Sequence, residues 1–394
     1  MKTLLLSACL AGVALAGCGG ASGGKQSTAN PASPPASAPS VQAPPLWNPA
    51  AKLPPTADIP MLEPVTRVTV HRAIEGEHQF LSGPAIVAHK NRLFACWTNS
   101  KRDEEPDAQC LRGRWSKDGG LTWGPVQTVA GDATPARSYG HGTLMSHQGR
   151  LWVFAARFTP DKPMAVNMEA FVYDERGDRW LPRGPVATEF WPCQAPQPRP
   201  GGGWILGGDH GIYPGEGPAV AIIDDKDVTK WRVVDIPFKY AAKKDDKPPY
   251  AVETTLWAAP QEVTAIMRNS YGNAALTSIS RDGGDTWSPV VESNFPMAQS
   301  KPYSGLLSTG QRYLVCNSAS REFLVLAVSR PGAKSLEKAW MLRQGRAPAR
   351  WPTRSKSPQW SYPWAIEHEG KLYVTYSVAK EDCELTIIPL PALK

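Results

Sequence analysis

The side chains in this sequence that can do chemistry stand at the ends of short apolar segments. Glu253 precedes the apolar segment 254–258, Arg268 follows the segment 263–267, and Tyr362 begins another segment near the carboxyl end. Two guanidinium groups can clamp a carboxylate through paired hydrogen bonds. Carboxylate, phenol and imidazole groups can transfer protons or form covalent intermediates. Such a combination is typical of a site for an acidic ligand.

The elements that must position these groups are marked by a repeated turn motif. Residues 116–123 (SKDGGLTW) and 280–287 (SRDGGDTW) share the pattern S-x-D-x-G-x-x-W. Asp and Ser side chains can hydrogen-bond turn amides, glycine supplies a positive φ, and the tryptophan packs beneath the turn. Residues 173–180 form a degenerate copy, and weaker turn segments precede Trp231 and Trp340. We expect each copy to be a hairpin turn.

The spacing of this repeat predicts a β-propeller. The tryptophans at positions 123, 180, 231, 287 and 340 recur every 51 to 57 residues. A period in this range with four strands per unit is typical of propeller blades. The 39 Pro and 34 Gly residues argue against long helices. We predict an all-β fold of six four-stranded antiparallel blades, with seven blades as the alternative, and we expect residues 65–70 to complete the last blade.

Propeller topology selects the residues that share one face. In an antiparallel blade, the start of the first strand and the end of the second lie at the same end of the sheet. First-strand starts carry His78, Gln79, Tyr139, His141, Gln194, Glu253, Lys301, Tyr303 and Tyr362. Second-strand ends carry Asn99, Arg102, Asp103, Arg157, Asp209, His210, Arg268, Asn317 and Arg321. This polar set suits a funnel that holds an anionic sugar.

The Asp-box turns, the repeat period and several spacings resemble the sialidase superfamily of six-bladed propellers over roughly residues 65–394. The spacing of Glu253, Arg268 and the second Asp box resembles that family, as do the segment around Arg321 and the position of Tyr362. The resemblance implies a Tyr362 nucleophile activated by Glu253, with Arg268 and Arg321 holding the sugar carboxylate. It also implies an aspartate acid/base. Asp107 matches that position, and Asp103, Glu104 and Glu105 compete with it.

One motif departs from that pattern, and a second resemblance accompanies the first. Residues 80–87 read FLSGPAIV, without the arginine of the sialidase Phe-Arg-Ile-Pro motif. Residues 78–80 and 96–109 are similar to Asp-box propellers that cleave rhamnose–glucuronate linkages, which include lyases and hydrolases using histidine. That similarity implies a site containing His78, Gln79 and His141. The arginines at 157, 268 and 321 serve either chemistry.

Three functions follow as hypotheses. The first is a sialidase-like exo-acting glycoside hydrolase that cleaves terminal acidic sugars from extracellular glycans. The second is a polysaccharide lyase or rhamnosidase that acts on rhamnose–glucuronate linkages with histidine catalysis. The third is a non-catalytic glycan-binding lipoprotein, since a fold can host binding without chemistry. Hydrolysis adds water to the products, whereas elimination produces an unsaturated uronate.

The first residues resemble a bacterial lipoprotein signal. Met1 and Lys2 are followed by an apolar run at 4–16 and by Leu-Ala-Gly-Cys at 15–18, which is similar to a lipobox. We expect lipidation at Cys18, a Pro/Ala/Ser-rich disordered tether at 19–60 and the propeller at 61–394. The expected location is the outer membrane, the periplasm or the cell surface, with membrane contact only through the lipid.

Charge and cysteine content limit the partners. The net charge of +7 is scattered, with no dense basic run, so we expect a carbohydrate partner and no nucleic acid. Five cysteines remain after residues 1–18, and Cys96 and Cys110 can form a disulfide if their strands are neighbours. Their spacing predicts no structural zinc, and we expect no cofactor. A closed ring needs no partner chain, so we expect a monomer.

Overall fold

Short apolar runs separated by frequent turn residues produce short strands throughout the chain. The computed structural model describes residues 43–105, 108–132, 134–158, 164–213, 217–223, 227–238 and 250–394, which belong to one unit that spans residues 41–394. The strands form six antiparallel sheets, so the prediction of an all-β, six-bladed propeller is confirmed. The helical segments of the described residues are 3-10 turns at Thr56–Asp58, Pro135–Arg137 and Leu390–Leu393.

The strands follow the chain from blade to blade. A first strand, β1 (Thr66–His71), precedes blade 1. Blade 1 contains β2 (Phe80–His89), β3 (Arg92–Ser100), β4 (Cys110–Ser116) and β5 (Gln127–Ala130). Blade 2 contains β6 (Tyr139–His147), β7 (Arg150–Phe158), β8 (Met164–Asp174) and β9 (Arg179–Ala187). Blade 3 has a divided inner strand and contains β10 (Phe190–Pro192), β11 (Gln197–Pro198), β12 (Trp204–His210), β14 (Gly217–Ile223) and β15 (Arg232–Asp235); β13 (Ile212–Tyr213) crosses to pair with β8.

The remaining three blades have four strands each. Blade 4 contains β16 (Ala251–Ala259), β17 (Glu262–Asn269), β18 (Ala274–Ser280) and β19 (Val291–Pro296). Blade 5 contains β20 (Tyr303–Leu306), β21 (Arg312–Asn317), β22 (Phe323–Ser329) and β23 (Leu336–Gln344). Blade 6 contains β24 (Trp360–His368), β25 (Lys371–Val378) and β26 (Asp382–Pro389), and β1 is its outer strand.

Pairing of the first and last strands closes the ring. Strand β1 runs antiparallel to β26, with Thr66 opposite Ile387, so the expected completion of the last blade by residues 65–70 is observed. The inner strands of neighbouring blades also contact one another, including β24 of blade 6 with β2 of blade 1. The first and last strands of the chain therefore belong to the same blade, and their pairing holds the ring closed.

Aromatic side chains tie adjacent blades together. The indole of Trp364 in blade 6 donates a hydrogen bond to the carbonyl of Ile86 in blade 1, at 3.0 Å. The indole of Trp257 in blade 4 donates to the carbonyl of Tyr313 in blade 5, at 2.8 Å. Both tryptophans are almost fully buried, so the apolar core lies between the blades.

The Asp boxes are hairpin turns between third and fourth strands. In the first box, Asp118 accepts hydrogen bonds from the Thr122 amide at 2.9 Å and the Ser116 hydroxyl at 2.8 Å, and these bonds, those from the Thr122 hydroxyl first, lower the pKa of Asp118 to about 2. The indoles of Trp123, Trp287 and Trp231 each donate to the carbonyl three residues earlier. Trp231 therefore belongs to a degenerate box.

The predicted box before Trp340 is wrong. Trp340 lies within β23, opposite Leu326 of β22, and does not follow a turn. Its place in the repeat period reflects the regular length of the blades. Cys96 and Cys110 lie on the neighbouring strands β3 and β4 but form no disulfide, because Cys110 is opposite Asn99. All five described cysteines are free and buried.

The segment before the first blade is packed against the propeller. The side chains of Leu46, Trp47 and Ile59 are buried, and Trp47 forms a parallel bridge with Leu336 of β23. Residues 46–60 therefore do not form the free tether that we expected over 19–60. The predicted signal, Cys18 and residues 19–42 of the predicted tether lie outside the described residues. Among those described, no helix has the length and apolar character required to cross a bilayer.

Candidate active site

Backbone bulges aim side chains at the propeller axis. The innermost strands β2, β6, β16 and β24 each shift register near their first residues. At these bulges, Gly83, His141, Glu253 and Tyr362 have φ values of 55°, 45°, 57° and 56°. Three of the four are not glycine, and a left-handed backbone costs such residues about 1–3 kcal/mol each. Strain of this kind concentrates at functional sites.

A cavity of about 240 Å³ opens where these bulges meet. It is formed by five of the six blades, with contributions from the β3–β4 loop of blade 1 and from the first strand of blade 6. Its lining residues are Glu104, His141, Trp191, Cys193, Asp209, Tyr250, Val252, Glu253, Arg268, Ser270 and Tyr362. Three of the four residues predicted to be catalytic, Tyr362, Glu253 and His141, are therefore together, with Arg268 beside them.

An ion pair joins two of the predicted site residues. The Nη1 atom of Arg268 lies 3.1 Å from Oε2 of Glu253, and the side chains are 21% and 13% exposed. Burial raises the pKa of Glu253, but the charges of Arg268 and Arg321 outweigh it and hold that pKa below the usual value. Glu253 is therefore ionised at neutral pH. The Nε atom of Arg268 is buried and forms no hydrogen bond to any described residue.

Asp209 of blade 3 supports the bulge that carries Glu253. Its Oδ2 atom accepts a hydrogen bond from the Glu253 amide at 2.8 Å, and its Oδ1 atom accepts one from the Thr254 hydroxyl at 3.5 Å. The Cys193 thiol also lies 3.8 Å from Oδ2. Asp209 is 4% exposed, so these contacts hold the strained backbone of a neighbouring blade.

Tyr362 and His141 form the aromatic part of the wall. Their rings meet edge to face, with centroids 5.6 Å apart and an interplanar angle of 84°, and His141 packs similarly against Trp191 at 5.0 Å. Burial raises the pKa of Tyr362 well above its usual value, and Glu253 and Glu104 add to that shift. Burial lowers the pKa of His141 to about 4, and Lys301 adds to that lowering, so the imidazole is neutral above that pH.

The region of the missing arginine is filled by His141. A side chain at Gly83, the bulge residue of blade 1, would begin 3.5 Å from three atoms of the His141 imidazole. Blade 1 therefore contributes no cation at its bulge, and the ring from blade 2 lies there instead. This difference from the sialidase motif changes the shape of the site as well as its charge.

Two other cations flank the Tyr362 ring. The guanidinium carbon of Arg321 lies 5.8 Å from the ring centroid, and Nζ of Lys380 lies 5.2 Å from it. Arg321 donates to the Gln359 side chain and to the Gln299 carbonyl, each at 3.0 Å. Lys380, from the turn between β25 and β26, is 2.6 Å from Oε2 of Glu104. Our sequence interpretation did not include Lys380, because a lysine in a tight hairpin carries no distinguishing signal.

Of the acids that compete for the acid/base role, Glu104 is the one described residue that lines the cavity. Glu104 lines the cavity with a side chain that is 37% exposed. Asp103 binds the Ser355 hydroxyl instead and accepts a hydrogen bond from the Glu104 amide at 2.9 Å. Asp107, the predicted acid/base, lies outside the described residues.

Three predicted substrate-binding residues lie away from the cavity. The guanidinium of Arg157 donates to the carbonyls of residues 136, 138 and 158 and covers the Tyr139 ring at 5.2 Å, because its long side chain turns back on its own loop. His78 accepts a hydrogen bond from Arg112 at 3.1 Å and lies 3.8 Å from the Cys110 thiol. Gln79 lines a separate groove.

Other polar residues of the predicted face are structural. Gln194 is fully buried and bridges blades by bonding both backbone groups of Leu256 and the carbonyl of Ser304. Asn317 donates to the carbonyl of Trp360 at 2.7 Å. Lys301 is 3% exposed, with Nζ over the rings of Tyr303 and Trp364, and its pKa is lowered by burial. In the described part of the chain, no three His, Cys, Asp or Glu residues cluster as a metal site would require.

Comparisons with known proteins agree with the propeller fold. The family profile described as a BNR repeat-like domain matches residues 91–374. A protein of unknown function from Dyadobacter fermentans is 16% identical, with a TM-score of 0.63 over 84% of this chain and 100% of the other. Hadza microbial sialidase Hz136 is 12% identical, with a TM-score of 0.66 over 83% of this chain and 69% of that one.

A eukaryotic structure and a sequence search complete the comparison. Trypanosoma rangeli sialidase in complex with sialic acid is 14% identical, with a TM-score of 0.60 over 84% of this chain and 60% of the sialidase. Identities at this level establish the shared propeller fold and leave specificity to be argued from the site. No curated protein matches the chain in sequence.

Proposed function

Because the chain belongs to the family of BNR repeat-like domains, whose profile matches residues 91–374, we propose that it is a glycoside hydrolase that removes a terminal acidic sugar from a glycan. The observation that carries the proposal is the meeting of Tyr362, Glu253, Glu104 and Arg268 in one cavity. A volume of about 240 Å³ is at the small end for ligand pockets, which suits one terminal sugar.

The first chemical step uses Tyr362 as the nucleophile. Its hydroxyl oxygen attacks the anomeric carbon while its proton passes to the carboxylate of Glu253. The bond between the anomeric carbon and the glycosidic oxygen breaks, and Glu104 gives a proton to the departing oxygen. Because Tyr362 has a raised pKa, it stays protonated until the transfer occurs, so no anionic nucleophile has to approach an anionic sugar.

The second step releases the sugar. Water attacks the anomeric carbon of the glycosyl-tyrosine and gives its proton to Glu104, while the proton on Glu253 returns to the tyrosine oxygen. Two displacements at the same carbon predict a product with retained anomeric configuration. Proton nuclear magnetic resonance of the initial product measures that configuration.

Recognition of the sugar carboxylate relies on a changed set of cations. Arg268 lines the cavity, and Arg321 and Lys380 flank Tyr362. Lys380 supplies the positive charge that blade 1, without its arginine, does not.

The test uses the purified full chain and a panel of sialosides, rhamnosyl-glucuronates and other acidic oligosaccharides, with products identified by mass. We expect products that have gained one water, and we expect Tyr362→Phe to lose turnover by about 100-fold or more while it retains sugar binding. Saturable binding without turnover at any pH contradicts the enzyme proposal and favours a glycan-binding protein. Unchanged turnover in Tyr362→Phe contradicts the assignment of the nucleophile.

A lyase is the second candidate, because a neutral imidazole lies in the cavity. In that reaction His141 or Tyr362 removes the proton beside a uronate carboxylate that the cations neutralise, and Glu104 protonates the departing oxygen. Elimination adds no water and gives a product that absorbs in the ultraviolet. The same mass measurement therefore distinguishes the two reactions.

A further inference from the structure

A second groove lies on the face of the propeller that carries the cavity. This rim groove has a volume of about 700 Å³ and is formed between blades 1 and 6. Its lining residues are Gly76, Glu77, Gln79, Lys101, Arg102, Arg350, Trp351, Pro352 and Thr353. It is nearly three times the size of the cavity and contains three cations and one carboxylate.

The tryptophan in the rim groove is held rigidly. The backbone amides of Arg350 and Trp351 both donate to the carboxylate of Glu381 at 2.8 Å. The guanidinium of Arg350 lies 4.5 Å from the centre of the Trp351 ring and bonds the carbonyl of Ala73 at 3.0 Å. Glu381 is 2% exposed, so a buried anion fixes this segment. A rigid, partly exposed indole offers a flat surface at a low entropic cost.

Two short loops connect the rim groove with the cavity. In the β25–β26 turn, Lys380 lies over Tyr362 in the cavity, and the next residue, Glu381, holds Trp351 in the groove. In the β3–β4 loop, Arg102 lines the groove and Glu104 lines the cavity. The groove and the cavity are therefore adjacent, separated by the residues of these two loops.

The charges of the rim groove favour an anion. Lys101 and Arg102 are exposed, and neither forms an ion pair with a described acid. Arg350 is neutralised by Glu381 and Asp382, so its role is to support the indole. Glu77 is the one acid among the described lining residues, which leaves a net excess of positive charge on the exposed side chains.

We propose that the rim groove binds a second acidic sugar of the same glycan, on the leaving-group side of the bond that is cut. The inference rests on the proposed function and narrows the substrate to a chain that carries anionic groups on successive sugars. Trp351 packs against the face of a sugar ring, and Lys101 and Arg102 pair with its carboxylate or sulfate.

Calorimetric titration of the full chain tests this assignment without turnover. The probes are tetrasaccharides of galacturonate, hyaluronan and chondroitin sulfate, with galacturonic acid and maltotetraose as the short and the neutral comparisons. Tyr362→Phe is the background, so that the sugars are not cleaved. We expect at least one acidic tetrasaccharide to bind about tenfold more tightly than the monosaccharide, with an affinity that falls as salt increases.

Matched variants locate the binding. Trp351→Ala, and separately Lys101→Ala with Arg102→Ala, are expected to weaken the tetrasaccharide about fivefold or more and to leave the monosaccharide unchanged. The control is Lys117→Ala with Arg150→Ala, which removes the same charge from exposed positions on the opposite face. Equal weakening in the control, unchanged affinity in the groove variants, or no binding of any acidic tetrasaccharide overturns the inference. Absence of turnover with retained groove binding contradicts only the proposed reaction.

Discussion

The imidazole of His141 meets the ring of Tyr362 edge to face, with centroids 5.6 Å apart. The contact joins blade 2 to blade 6 across the centre of the propeller. His141 has a neutral side chain above about pH 4, so it can act either as a packing surface for the nucleophile or as a base. A base needs a ring nitrogen that can accept a proton, whereas a packing surface needs only the edge of the ring.

We expect His141→Phe to retain turnover within about fivefold and His141→Ala to lose more, because phenylalanine keeps the edge contact and alanine removes it. Initial rates with the substrate found in the panel measure this effect. Both variants share the left-handed backbone at position 141, so strain does not distinguish them. A loss of about 100-fold or more in His141→Phe indicates a base and moves the assignment to the lyase.

A second prediction concerns the pair formed by Glu253 and Arg268. Glu253→Gln leaves a partly buried guanidinium without its counter-ion, and Arg268→Gln leaves a carboxylate without one. We expect the losses of unfolding free energy in the two single variants to sum to more than the loss in the double variant. The coupling should be about 1–3 kcal/mol, because the side chains are only 13% and 21% exposed. Urea unfolding of the four proteins measures it, and additive effects would contradict the pairing.

The order of strands within a blade predicts much of this site. The repeated Asp box and the tryptophan spacing predict the blades, and the rule of first-strand starts and second-strand ends places Glu253, Arg268 and Tyr362 together. The same rule selects Gln194 and Asn317, which are buried and donate to backbone carbonyls of the next blade. Position in a strand identifies the end of the sheet, and it does not distinguish a ligand-facing group from one that joins blades.

The remaining differences arise from side-chain length and loop path. Arg157 stands at the predicted strand end, but its flexible side chain turns back and donates to the carbonyls of residues 136 and 138. Glu104 is one of several neighbouring acids, and only the path of the β3–β4 loop turns it toward the cavity. The bulges at His141 and Glu253 depend on register with the next strand, which no local sequence pattern specifies.

Acid sensitivity should arise in part from His71, which stacks on Trp97 with centroids 4.7 Å apart. Burial, followed by the charge of Arg114, lowers the pKa of His71 from 6.5 to about 4. Between pH 6.5 and about pH 4, His71 therefore binds a proton in the unfolded chain but not in the folded chain. The stability that neutral His71 contributes is fully present above its unfolded pKa and is lost as the pH falls toward its folded pKa.

Between about pH 7 and about pH 5, we expect the unchanged chain to lose roughly 2 kcal/mol more unfolding free energy than His71→Phe, in which the phenylalanine ring still stacks on Trp97. Urea unfolding of both proteins at the two pH values gives the difference. Glu253 does not contribute in this window, because its pKa is lowered from 4.5 and its stabilisation is lost only at more acidic pH. An equal acid loss in the variant would contradict the role of His71.

The last prediction separates backbone strain from crowding in the second Asp box. Gly284 has φ of 105°, and a methyl group there would lie 2.5 Å from Cδ1 of Ile205; Gly202 has φ of 108° and open space around it. Gly202→Ala carries only the conformational cost of about 1–2 kcal/mol. We expect Gly284→Ala to cost about 1–3 kcal/mol more, because the added methyl must displace the buried side chain of a neighbouring blade. Thermal or urea unfolding measures both, and equal losses would show that the contact between this turn and Ile205 is not tight.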